Sequence, residues 1–207
     1  MFETLFAPYQ EYSAINIFLE ITAVVFAVIS VLYSKKNSIN VYPTGIVSIL
    51  IFMYLLYQWE LFGDLIINIY YFIMSVYGWV LWSRKKEGVS SLKVEKISLK
   101  EYKISGVIFF LSTLLVSAVY ILFEKFGYWW SYVDILTTGL FFIGMYLLAR
   151  RKVEHWLFLI VGDFISIPLY YFKEYTITSM LYVIYTVIAV FGYLAWKKIW
   201  DNNLQRL

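Results

Sequence analysis

Seven apolar stretches separated by short polar breaks dominate the chain, at residues 13–33, 41–58, 65–82, 104–123, 130–149, 155–172 and 176–196. A run of about 20 apolar residues is what a helix needs to cross the hydrocarbon of a bilayer. None of the seven alternates with the two-residue period of a barrel strand. In hydrocarbon every backbone amide must bond inside its own helix or a closed barrel, so continuous runs predict helices. Trp or Tyr stands at an end of most of them, where an amphipathic ring lies at headgroup level. The predicted fold is all-α and integral to a membrane, with seven transmembrane helices.

Composition supports the same class. The 207 residues are 62% hydrophobic and 15% charged, against roughly half and a quarter in soluble domains, which is too much apolar surface for one aqueous core. The absence of cysteine excludes a disulfide framework and a thiolate metal site. Residues 1–12 hold two glutamates and no Lys or Arg, so no cleavable signal peptide is expected there.

The net charge is only +3, but the cations are unevenly placed. Lys35 and Lys36 follow the first run, and Arg84, Lys85, Lys86, Lys93, Lys96, Lys100 and Lys103 lie between the third and fourth. Arg150, Arg151 and Lys152 follow the fifth, and Lys197, Lys198 and Arg206 close the chain. These 15 share one side of the membrane, against Lys125 and Lys173 on the other. The positive-inside rule then puts the N-terminus outside and the C-terminus in the cytoplasm. The 84–103 loop mixes its cations with Glu87, Glu95 and Glu101, which leaves no continuous phosphate-tracking stripe. It reads as a topogenic anchor touching anionic lipid, not as a nucleic-acid site.

Shifted by 114 positions, the chain aligns with itself without a gap. Glu20 falls on Asp134, Lys36 on Arg150, Tyr42 on Trp156, Tyr57 on Tyr171, Tyr71 on Tyr185, Gly78 on Gly192, Trp82 on Trp196 and Arg84 on Lys198. The shared Gly-aromatic-x-x-Trp endings go beyond common hydrophobicity. An odd fourth span restores the chain direction, so the two three-helix halves run parallel, in a 3+1+3 arrangement like that of the SWEET carriers. The expected divisions are a first repeat over 1–83, a basic loop and linker helix over 84–125, and a second repeat with its tail over 126–207. Such duplications frame a midplane path between rocking bundles.

An ionisable side chain inside a span is expensive and therefore a functional candidate. Asp163 lies near the middle of the 155–172 run, with Trp156 two turns earlier on the same face. A ring and a carboxylate on one stripe suit a flat cation; an interhelical hydrogen bond or a proton-coupling role are the alternatives for Asp163. Asp64, Asn68 and Tyr71 follow one another at i, i+4 and i+7, and their repeat mates Thr178, Tyr182 and Tyr185 share that spacing. Asn68, Tyr71, Tyr182 and Tyr185 join the expected substrate-binding set. Asp64, Glu20, Asp134, Trp79 and Pro168 are expected in gating or packing, with Pro168 kinking its helix beside Asp163. His155 is expected to anchor at the membrane surface. No metal-ligand spacing, phosphate loop or Ser-His-Asp set is present, so neither enzyme chemistry, metal nor cofactor is expected.

Several motifs stand in an order that resembles a known family: Lys36-Asn37 with Pro43-Thr44-Gly45, Gly63-Asp64 through Tyr77-Gly78-Trp79 to Trp82, Asp134-Ile135-Leu136-Thr137-Thr138, Ala149-Arg150-Arg151-Lys152-Val153-Glu154-His155-Trp156, and Tyr182 with Gly192 and Trp196. Over nearly the whole chain they are similar to the PnuC-type vitamin transporters, bacterial carriers typified by those for nicotinamide riboside. The resemblance implies a homotrimer in the cytoplasmic (inner) membrane, facilitated diffusion by rocking of the halves, and trapping of the vitamin by a cytoplasmic kinase. The family's sixth span has two tryptophans followed by Asn or Asp; Trp156 and Asp163 match the first and last, and Leu159 replaces the second Trp. Asn68 stands where the family often has Gln. Relatives carry thiamine, riboflavin or deoxynucleosides. Nicotinamide riboside and thiamine both bear a fixed positive charge on an aromatic ring, which Asp163 favours, and nicotinamide riboside is the leading expectation. A non-transporting assembly or sensor protein is the alternative from another class.

Overall fold

The structure, a computed structural model, describes residues 13–86, 89–90, 92–124, 126–173 and 175–205. Residues 1–12, read above for a signal peptide, and Glu87, Lys125 and Arg206, used in the charge pattern, lie outside them. Among the described residues, seven helices are long and apolar enough to cross a membrane. They are α1 (Ala14–Lys35), α2 (Val41–Gln58), α3 (Phe62–Ser83), α4 (Leu99–Leu122), α5 (Trp130–Ala149), α6 (His155–Phe172) and α7 (Thr176–Leu204). Between α3 and α4 a short hairpin pairs β1 (Lys85–Lys86) with β2 (Val89–Ser90).

The second, fifth and sixth helices coincide with the predicted runs. α4 starts five residues before the predicted 104 because a capping box nucleates it: Ser98 Oγ accepts from the Glu101 amide at 3.3 Å, and the Glu101 carboxylate accepts from the Ser98 amide at 2.9 Å. α7 runs on to Leu204 through a polar end that hydropathy alone does not count.

Helix limits recur at the 114-residue offset. α2 and α6 match at both ends, α1 and α5 end at Lys35 and Ala149, and α3 and α7 begin at Phe62 and Thr176. The turns after α1 and α5 share one geometry. Asn37 and Ser38 donate to Ser34 and Tyr33, and Arg151 and Lys152 donate to Leu148 and Leu147, all at 2.8–3.0 Å. This is the paired bonding of a Schellman ending, with Asn37 (φ 51°) and Arg151 (φ 55°) in the left-handed position.

Six helices close a ring in which each touches its neighbours, in the order α1, α2, α3, α5, α6, α7 and back to α1. α3 thus meets α5, and α7 meets α1. α4 lies outside the ring against α5. α5 is the most enclosed helix, and its small residues Ser131, Thr137, Thr138, Gly139 and Gly144 are all buried, as close helix packing in lipid requires. Across the α3–α5 seam, Tyr70 stacks on Phe142 at 3.7 Å and its hydroxyl donates to the Phe142 carbonyl at 2.9 Å. Large apolar side chains such as Phe18, Phe110, Leu114 and Phe191 face outward, where acyl chains would cover them.

The basic loop is more than an anchor for headgroups. Its 92–98 segment straps the α5–α6 turn: the Glu95 amide donates to the Arg151 carbonyl, the Val153 amide donates to the Glu95 carbonyl, and Arg151 Nη1 donates to the Leu92 carbonyl. The buried Lys152 ammonium lies 3.0 Å from Glu95 and 3.2 Å from Glu101.

Candidate functional site

α6 carries Asp163 into the middle of the ring, where only 6% of it is exposed. Among the described residues no group donates a hydrogen bond to its carboxylate. It lies within electrostatic range of Tyr71 of α3 and of Tyr182 and Tyr185 of α7. Tyr71 and Tyr185 stand 114 positions apart, so the offset seen in the sequence recurs in the surround. Tyr182 stacks on Tyr170 at 5.1 Å and on Phe141 at 6.2 Å, and Tyr71 meets the edge of Phe142. The interior is thus a carboxylate among tyrosines, which offer π faces and hydroxyls together.

Trp156 does not share that space. Although on the same face as Asp163, it lies roughly 10 Å away along the helix at 1.5 Å per residue, and it is fully buried. Its ring meets the edge of Trp196 (6.1 Å, 85°), as its repeat mate Tyr42 meets Trp82 (5.1 Å, 89°). Each ring of this pair sits against a glycine, Trp156 on Gly192 and Tyr42 on Gly78. A Cβ at Gly192 would lie 2.6 Å from the Trp156 ring. Gly192→Ala is therefore expected to cost about 1–3 kcal/mol by overpacking, read as a lower melting midpoint in detergent; an unchanged midpoint would mean that the indole has room to slide. His155 is not the surface anchor expected. It is fully buried between Trp156 and Trp196, 4.5 Å from each, because the strapped turn carries the start of α6 inside the bundle.

At the opposite end, Asp134 accepts from the Tyr120 hydroxyl at 2.6 Å and pairs with Lys173, tying α4, α5 and the end of α6 together. Asp64 is exposed near this cluster, within electrostatic reach of Asp134 and Lys173. Asn68 is half-buried and donates from Nδ2 to the Asp64 carbonyl at 3.0 Å, so its amide is engaged with its own helix. Glu20 is half-buried on α1. Trp79 is 41% exposed and lines a shallow groove with Val76, Val80 and Ser83 at the end of α3 and with Arg84 just after it. Pro168 is exposed on α6, which remains one helix through it.

A family model described as nicotinamide mononucleotide transporter matches residues 17–198. The chain belongs to this family, that of the PnuC-type transporters. A relative from Escherichia coli (strain K12), named nicotinamide riboside transporter PnuC, is 23% identical over 197 residues, covering 82% of this chain and 79% of the relative. A relative of the same name from Neisseria mucosa is 24% identical over 186 residues, covering 86% and 71%. The crystal structure of the vitamin B3 transporter PnuC has the same fold, with a TM-score of 0.66 over 89% of this chain and 83% of that one at 22% identity.

Within the family frame, sequence reasoning missed Tyr170, Tyr120 and Lys173, which lack counterparts of their own type 114 positions earlier (Leu56, Phe6 and Trp59). It also read Trp82 and Trp196 only as markers of the repeat. Their recurrence just before the basic clusters was the available signal for a paired role.

Proposed function

We propose that the protein carries nicotinamide riboside across the bacterial cytoplasmic membrane by facilitated diffusion, and that a cytoplasmic kinase traps the riboside by phosphorylation. The observation that carries this reading is the Asp163 carboxylate, buried in the ring without a hydrogen-bond donor among the described residues. A buried charge needs a partner, and a pyridinium ring supplies one with a fixed positive charge. Tyr71, Tyr182 and Tyr185 would receive the cation on their faces and the ribose on their hydroxyls. Asn68 would add its side-chain carbonyl. Trp156 would stack on the heterocycle once the aromatic cluster around it parts. The names of the bacterial relatives support the substrate.

The frame for this movement is a 3+1+3 parallel repeat: a first half over 1–83, the loop and linker helix over 84–125, and a second half over 126–207. Its halves would rock about the ring axis, with the N-terminus outside and the basic end in the cytoplasm. Assembly as a homotrimer belongs to the same reading. Asp64, Glu20, Asp134 and Pro168 would serve packing and gating.

Calorimetric titration of the purified protein with nicotinamide riboside and with thiamine tests the substrate, and the expected result is tighter binding of the riboside. Tighter binding of thiamine would reassign the substrate within the same charge chemistry, and no heat with either would remove the substrate claim. Liposomes holding a riboside kinase and ATP should accumulate phosphorylated product. Their failure to do so would favour a non-transporting assembly or sensor protein.

A further inference from the structure

The end of the ring beside the basic loops is shut by residues that substrate binding does not use. Trp82 closes α3, and Trp196 stands at the matching point of α7. Trp82 Nε1 donates to the carbonyl of Ala149, the last residue of α5, at 3.2 Å; Trp196 Nε1 donates to the carbonyl of Ser34, near the end of α1, at 2.8 Å. Each bond joins the third helix of one half to the first helix of the other. An indole N–H can only donate. The last carbonyls of a helix have no partner inside it and carry the negative end of its dipole. Trp82 therefore meets an acceptor that helix geometry leaves available, and Trp196 takes a second lone pair of the Ser34 carbonyl, which also accepts from the Asn37 amide. The two indoles are buried 6.0 Å apart, and the Arg151 guanidinium lies 4.0 Å over Trp82.

The same cluster strands polar atoms. Tyr42 Oη, Trp156 Nε1 and His155 Nε2 are buried without a hydrogen-bond partner among the described residues. His155 Nδ1 lies 2.7 Å from the Lys152 carbonyl, which requires the proton on Nδ1 and leaves Nε2 a bare acceptor. Buried donors and acceptors without partners are costly. Closure thus forms two bonds between the halves and leaves these three groups unsatisfied together with Ser34 Oγ beside the Trp196 bond, each of which water or a solute hydroxyl would partner on opening.

We infer that Trp82 and Trp196 are the gate at the basic end, paired latches each fastened to the backbone of the opposite half. Their release exposes Trp156 and lets Tyr42, Trp156 and His155 bond to the departing solute. The inference rests on the carrier reading for what passes through the gate, while the closure itself is measurable without any solute.

The chain has no cysteine, so Ser75→Cys supplies a single reactive thiol. Ser75 is buried on α3, one turn before Gly78 and behind the latch. In sealed membrane vesicles a membrane-impermeant maleimide added from the side of the basic loops should label it slowly. Trp82→Phe combined with Trp196→Phe keeps an aromatic ring at each place, smaller than the indole it replaces, and removes both N–H groups. Labelling from that side is then expected to rise by about tenfold, the scale set by losing two net hydrogen bonds, with no rise from the opposite side. Each single substitution should give an intermediate rate, which serves as the test should the double variant fail to fold. Unchanged labelling in the variants, or an equal rise from both sides, overturns the gate. Absence of riboside binding would sink the functional reading and leave this labelling result standing.

Discussion

Asp163→Asn is expected to weaken nicotinamide riboside binding by about thirtyfold or more. Removing one member of a desolvated charge pair costs about 2–5 kcal/mol, and each tenfold in affinity is about 1.4 kcal/mol. Asn has nearly the size and shape of Asp, so the ring should stay packed. The unliganded variant should melt at the same temperature or higher, because it no longer holds a buried carboxylate without a donor. The dihydro form of the riboside is uncharged, and it should bind both proteins alike. Titration calorimetry with the two ligands and a melting curve without ligand make the comparison. Equal affinity of both proteins for the charged riboside would exclude Asp163 from the site.

Glu101→Leu should destabilise the protein by about 3–5 kcal/mol, the range for breaking a buried ion pair from one side. Lys152 is buried, and its remaining partner Glu95 has a side chain 60% exposed. The substitution also removes half of the capping box that starts α4. Glu95→Ala, by contrast, should cost less than about 1 kcal/mol, as exposed ion pairs do. Adding Lys152→Met to Glu101→Leu should recover most of the loss, because the buried cation is then gone and Arg150, 3.5 Å from Glu101, is a third exposed and can be solvated. Melting midpoints of the four proteins in detergent decide this. A double variant no more stable than Glu101→Leu alone would show that the strap depends on the cap and the packing, not on the charge pair.

The same strap marks where hydropathy was least informative. Residues 92–101 are polar and short, so a sequence pattern reads them as a loop. Their order comes from long-range bonds to a turn more than 50 positions away, such as the Ile97 amide donating to the Glu154 carboxylate at 2.8 Å. Trp156 and Asp163 show the converse limit. Their shared helical face was legible from i, i+7 spacing, but the face does not say at which depth a neighbouring ring closes over each. Gly192, Trp196 and His155 close over Trp156, and tyrosines from two other helices surround Asp163.

What the sequence determined alone was local: the number of spanning helices, most of their limits, and the 114-residue recurrence that reappears in matching turns. Hydrocarbon forces each helix to satisfy its own backbone, so length and hydrophobicity suffice to define it. Only the tertiary structure decided which polar groups face one another. The ring order sets α3 against α5 and α1 against α7, and from that follow the Trp82 and Trp196 bonds, the tyrosines around Asp163 and the outward turn of Trp79. Those contacts join residues separated by as many as 162 positions, a distance over which no periodicity in the chain carries information.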